Sequence, residues 1–281
     1  MAEHENSQHK APPSRRYSPL QLQLQLPQTL TLHAQWTKWK SMKLCGANPK
    51  DRLCLVEMQT GYSGKPPLGM RTGFLLRNGM SSRDPLLGAA GDEAPGLHAF
   101  NPDGIVFLPS LHADAGSDLD LDSKAGCGRM DTEIMRAEQG MDSDVAFHFS
   151  IEVDAEGEQR RREEFAWRRL KGNRDGDGQA EAQGRRKGFK LVRVSSGTGQ
   201  QASHFQASGR DDESVAFLEW VMAWPKMTHA FTLELADGQS RALGGRWTLM
   251  VVVTAIRLYT LYVKGRTNKF AVDIGKRTLG K

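Results

Sequence analysis

The stretch GGRWTLMVVVTAIRLYTLYVKGR, Gly244 to Arg266, is the most apolar in the chain, and its reading decides the fold. From Trp247 to Val263 only Thr248, Thr254, Arg257 and Thr260 interrupt apolar residues. As a helix rising ~1.5 Å per residue this segment spans about 26 Å, a little short of a bilayer core of about 30 Å. Arg257 lies past its middle and would cost about 2.5–3.5 kcal/mol near a bilayer centre. At about 100° per residue, Arg246, Arg257, Thr260 and Lys264 fall on one narrow stripe, and every other direction is apolar. A helix that is apolar nearly all round belongs inside a protein core. Its stripe is expected to reach solvent or backbone carbonyls at one side or end. The competing reading is a long strand, because Val251, Val252 and Val253 are β-branched. Length beyond about twelve residues favours the helix. The turn residues ADGQ at 236–239 precede it, and Gly265 is placed to stop it. The side chains expected to form the core helix are Trp247, Leu249, Val252, Ile256 and Tyr259. A single-pass membrane protein using 247–263 is the alternative.

The rest of the chain sets the frame for this helix. Among 281 residues, 38% are hydrophobic and 25% charged, which suits a polar globular protein. Twenty-nine glycines and twelve prolines imply many turns and favour strands over helices. The net charge of +5 is too modest to imply nucleic acid by itself. Cys45, Cys54 and Cys127 are odd in number and lack a C-x-x-C spacing, which reads as reduced thiols in a cytoplasmic protein. The first twenty residues have no apolar core of the kind a secretory signal requires.

Residues 1–28 are rich in Gln, Ser and Pro and are expected to be a disordered tail. From Thr29 onward short strand patterns recur: TLHAQWTKW, RLCLVEMQT, TGFLLRNG, DPLLGAAGDE, GIVFLPSL, DTEIMRAE, DVAFHFSIEV, REEFAWRRL, GFKLVRV, SVAFLEWVMAW and HAFTLELADGQ. The alternation of Val145, Phe147, Phe149 and Ile151 is the clearest. Eleven candidates at this spacing predict a barrel or sandwich, and nothing resembles alternating βαβ units. The segments 112–128 and 171–187, Gly-rich and polar, read as loops. Residues 266–281 read as a basic tail in which KFAVDI is either a last strand or part of a disordered end.

Several of these segments together resemble a known superfamily. TGYSGKPP, LRNGMSSRDPLLGAAGDE, FHFSIEV, EFAWRR, GFKLVRV and LGGRWTLMVVVTAIRLY resemble a group of fungal proteins similar to the tubby C-terminal and LURP-one-related superfamily, which includes the phospholipid scramblases. The resemblance runs in order over about 30–265. It implies a mainly β fold, a closed antiparallel barrel of about twelve strands enclosing one apolar C-terminal helix, so that Arg257→Leu is tolerated if Arg257 faces solvent at the barrel rim and Val252→Asp unfolds the domain. The matching residues are packing and turn types, so the resemblance is silent on catalysis. The superfamily's helix usually lies near the end of the chain, whereas RTNKFAVDIGKRTLGK follows it here. Tubby proteins bind phosphoinositides through basic residues, but no tubby headgroup motif maps onto this chain.

Charge is distributed in blocks. Residues 110–158 carry thirteen acids against three bases, 160–193 twelve bases against five acids, and 264–281 six bases against one acid. Arg160, Arg161, Arg162, Arg168, Arg169, Arg185, Arg186, Lys187 and Lys190 flank strand candidates on both sides of the 171–187 loop. If those strands pair as a hairpin, the bases converge on one patch suited to anionic lipid headgroups. The plainer reading is a solvated face partly neutralised by the acidic block. Asn173, Asp175, Asp177 and Gly178 imitate the start of a calcium loop, but its twelfth position is Gly184 rather than Glu. Asp114, Asp118, Asp120 and Asp122 read as a solvated loop. His148 faces opposite Phe147 and Phe149. Trp36, Trp39, Trp167, Trp220, Trp224 and Trp247 read as packing, and no nucleic-acid motif accompanies them. No metal spacing, nucleophile elbow, P-loop or dinucleotide fingerprint is present. The sequence therefore points to a non-enzymatic binding or scaffold module without cofactor or metal, cytoplasmic and peripheral at an anionic membrane, with no nucleic-acid partner. An enzyme with an unrecognised site is the remaining alternative.

Overall fold

The computed structural model describes residues 26–34, 40–62, 64–93, 102–110, 129–139, 145–154, 160–170, 187–194, 213–221 and 229–279, with side chains as far as 274. Twelve strands and two helices follow in order. They are β1 (Thr29–Ala34), β2 (Ser41–Cys45), β3 (Arg52–Thr60), β4 (Thr72–Asn78), β5 (Leu86–Asp92), β6 (Gly104–Pro109), β7 (Met130–Gln139), β8 (Val145–Val153), β9 (Arg161–Arg169), β10 (Gly188–Val194), β11 (Ser214–Trp220), β12 (His229–Leu235), α1 (Gln239–Val263) and α2 (Lys269–Leu279). Each strand pairs antiparallel with its neighbours in sequence, and β1 closes on β12 to complete a barrel. Closure leaves no free sheet edge.

The alternation read in the sequence is the inward row. Along β8, Val145, Phe147, Phe149, Ile151 and Val153 are buried, while His148, Ser150 and Glu152 face outward. These side chains meet α1, which fills the barrel. Trp247, Leu249, Val252 and Ile256 are buried within one continuous core, and each such burial stabilises the fold by about 1.5–3 kcal/mol. Trp167 on β9 donates from Nε1 to Thr254 Oγ1 at 3.0 Å, and that hydroxyl in turn donates to Met250 O at 2.8 Å. Thus even the helix's interior threonine is satisfied. By length and composition α1 is able to cross a membrane. Here the barrel covers it.

The structure corrects five expectations. The core helix does not begin at Trp247 but at Gln239, and it breaks at Gly244, whose φ of 85° and ψ of 168° suit only glycine. It ends as read: Gly265 (φ 68°) donates to Tyr262 O at 2.9 Å and Arg266 to Leu261 O at 2.8 Å, a Schellman stop. Tyr259 is half-buried rather than central, packing near the rim against Trp220 and Phe231. Arg257 does not face solvent: it is fully buried, because the acid that pairs with it lies far away in sequence on β5. A strand was missed at β2, where Met42 and Leu44 point inward from only five residues. Finally, KFAVDI is neither strand nor loose end. It opens α2, which packs against β7 with Val272 in the main core, so the folded region continues past 265. Residues 1–25, 112–128 and 171–186 lie outside the described residues, and with them the candidate calcium loop and the acidic cluster.

Because the strands form a simple meander, connections alternate between two ends. Helix α1 enters from the end holding the β8–β9 connection. It leaves at the end holding the β9–β10 connection.

Candidate functional site

Strand β9 carries four of the nine basic residues read in the sequence, Arg161, Arg162, Arg168 and Arg169, and its pairing decides where they go. β9 and β10 do form an antiparallel pair, with Phe189 opposite Arg169 and Lys190 opposite Arg168. The pairing does not bring all the bases together, which corrects the single-patch expectation. Arg162 and Arg169 are seven residues apart along one extended strand, about 23 Å at ~3.3 Å per residue. Arg160, Arg161 and Arg162 lie at the entry end. Arg168, Arg169, Lys187 and Lys190 lie at the exit end. Arg185 and Arg186 are outside the described residues.

At the entry end the arginines are answered by carboxylates. Arg160 meets Asp154 at 3.4 Å. Arg161 and Arg193 both donate to Glu163, a buried side chain on the inward row of β9. Arg162 donates to Glu133 and, through Nε, to Ser150 Oγ at 2.9 Å. Glu133 is also reached by Arg246 of α1 at 3.5 Å, which pairs with Asp131 at 3.3 Å and donates to Pro109 O. The register of β7 with β8 stops at Met135 opposite Phe149, and Glu133 lies beyond that point. The net effect is a neutralised, cross-linked corner.

The exit end differs. Arg169 donates from Nη2 to the Thr267 carbonyl at 3.4 Å, tying β9 to the α1–α2 connection. Arg169, Lys187 and Lys264 are exposed and Lys190 half-buried; none has a carboxylate within ion-pair distance among the described residues. Lys269 is exposed beside Gln139. Four large apolar side chains are exposed at this end as well. Val263 and Phe270 flank the α1–α2 connection, and Tyr62 and Met70 lie on the β3–β4 connection. Beneath them lies the buried pair of Arg257 and Asp92, 2.6 Å apart, with Arg266 3.3 Å from the same carboxylate and Asp103 O accepting from Arg257 at 3.3 Å. Burial pulls the Arg257 guanidinium below its ordinary value, and Asp92 opposes that pull.

Sequence reading placed Val263 and Lys264 on the core helix and its polar stripe and Lys269 and Phe270 in a basic tail, and so missed them as part of one site. The signal was present. Counting β9, β10, β11 and β12 as a meander puts the end of α1 beside the β9–β10 loop. His148 stands on the outer face of β8, 3.8 Å from Glu138. Trp167, Trp220 and Trp247 are buried in the core, while Trp36, Trp39 and Trp224 are outside the described residues. Cys45 and Cys54 are free, buried thiols, and burial pushes Cys54 up to about 11, which keeps it protonated and unreactive. Among the described residues no group of three His, Cys, Asp or Glu is arranged to hold a metal ion.

The chain matches no family model, no curated protein and no solved structure.

Proposed function

We propose that this protein is a non-enzymatic binding module, a tubby-like barrel of the cytoplasm that attaches peripherally to anionic lipid, phosphoinositide included. The observation that carries the reading is the convergence of Arg169, Lys187 and Lys190, without carboxylate partners among the described residues, at the end where Lys264 and Lys269 also stand. Each such base contributes about 1 kcal/mol near an anionic surface. The filled barrel supports a binding role, since the buried charges at Arg257, Glu133 and Glu163 each face an opposite charge and serve packing. The resemblance to the tubby and LURP-one-related superfamily supports it too.

The test is co-sedimentation with vesicles of phosphatidylcholine, phosphatidylcholine with phosphatidylserine, and the same with a phosphoinositide. A triple variant Arg169→Ala/Lys187→Ala/Lys190→Ala is expected to lose about 100-fold in affinity for anionic vesicles, on ~1 kcal/mol per base. Arg160→Ala/Arg161→Ala, whose arginines already face carboxylates, is expected to bind as the parent does. Equal binding by parent and triple variant overturns the reading.

A further inference from the structure

Charge alone does not account for what stands at the exit end. Phe270 is 73% exposed and Val263 58% exposed, on either side of a connection that also carries Lys264 and Lys269. The segment is held rigidly. The Schellman stop at Gly265 fixes the turn, Asn268 Oδ1 accepts from the Ala271 amide at 2.9 Å to cap α2, and Asn268 Nδ2 donates to Gly265 O at 2.9 Å. Thr267 is buried, and its carbonyl is held by Arg169. Ala271 and Val272 anchor one face of α2 in the core, so Phe270 is turned outward by the helix's own register and has no core to return to. Of the large apolar side chains exposed among the described residues, four lie on the connections of this end, and the fifth, Phe217, stands on the outer face of β11 opposite Lys190.

We infer that the turn from Val263 to Phe270 is an insertion element that seats in the headgroup layer of an anionic bilayer, with the barrel axis steep to the surface and Phe270 and Val263 entering first. The inference rests on the lipid reading above and gives it an orientation. A bilayer is favoured over a protein groove by charge complementarity. Apolar side chains ringed by lysines and arginine on a rigid turn match an interface that is apolar beneath an anionic rim. Aromatic side chains such as Phe270 and Tyr62 suit that depth, and lysine stems let the ammonium groups stay at headgroup level.

The decisive comparison uses the full chain with phosphatidylcholine–phosphatidylserine vesicles, at low and at high salt. High salt screens the bases and leaves the apolar contribution. The parent is expected to keep a salt-resistant fraction of its binding. Phe270→Ser/Val263→Ser is expected to bind about tenfold more weakly and to lose that fraction, from the apolar area no longer removed from water. Phe270→Leu should retain it. Both replaced side chains are exposed, and circular dichroism checks that the fold persists. Equal, salt-resistant binding by parent and double serine variant overturns the insertion element and leaves lipid attachment standing. No binding of the parent to any vesicle overturns both.

Discussion

Both ends of the barrel carry several basic residues, and they treat them differently. At the entry end, Arg160, Arg161, Arg162, Arg193 and Arg246 are matched to Asp154, Glu163, Glu133 and Asp131. At the exit end, Arg257 and Arg266 pair with Asp92 inside, while Arg169, Lys187 and Lys264 face outward. A run of like charges in sequence is therefore not a patch. Strand direction separates its members, and cross-strand neighbours neutralise some of them. What remains to attract an anion is set by pairing, not by count.

The helix α1 joins the two ends, so the largest expected effect comes from its middle. Val252 is fully buried among core side chains. Val252→Asp places an uncompensated charge there, a cost of several kcal/mol that is comparable to a domain's whole stability of about 5–15 kcal/mol. The expected outcome is loss of the cooperative unfolding transition and of near-ultraviolet circular dichroism. A folded variant would show that the ends are stabilised independently of the plug.

The next effect distinguishes the ends. Asp92→Ala leaves Arg257 buried with Asp103 O as its remaining partner, since its Nε and Nη1 have none among the described residues. Breaking a buried pair in this way costs about 3–5 kcal/mol. Arg257→Leu, which a solvent-facing arginine would tolerate, is now expected to destabilise as well, though less, because Asp92 keeps Arg266. Glu133→Ala at the entry end should cost about 1–3 kcal/mol. Arg246 retains Asp131 and the Pro109 carbonyl, and Arg162 is half exposed. Denaturant midpoints rank the three variants. An entry-end loss as large as that of Asp92→Ala would remove the contrast between a dry lock and a solvated network.

Much of this was legible in the residues. Period-two alternation marked eleven strands, and the all-round apolar run marked the plug, because both signals are local and each side chain's surroundings follow from its neighbours. β2 escaped because five residues with two inward side chains give too short a pattern. Arg257 escaped because its partner Asp92 is 165 residues away, and no local rule pairs them. The KFAVDI segment alternates weakly enough to read as a strand, yet Ala271 and Val272 pack together as adjacent positions on one helix face. The exit-end site was half legible. Its bases were marked, but their separation from Arg160–Arg162 and their union with Val263 and Phe270 follow only from the direction of each strand.

The smallest effect lies on the wall between the ends. His148 is half-buried on the outer face of β8, facing Arg136 and Glu138 from β7 and Glu164 and Arg168 from β9. Burial lowers its affinity for a proton, Glu138 opposes this, and Arg168 reinforces it. The folded state therefore holds the proton less tightly than the unfolded chain, whose histidines titrate near ~6.5. The stability tied to neutral His148 is fully present above that value. It is lost as pH falls through it and on through the lower folded value. Urea midpoints of the parent at pH 7.5 and pH 5 should therefore differ more than those of His148→Gln, which has no proton to take up. An identical pH dependence in the two proteins would mean that the acids around His148 fully offset its burial, and that this stretch of wall is as well matched in charge as the entry end.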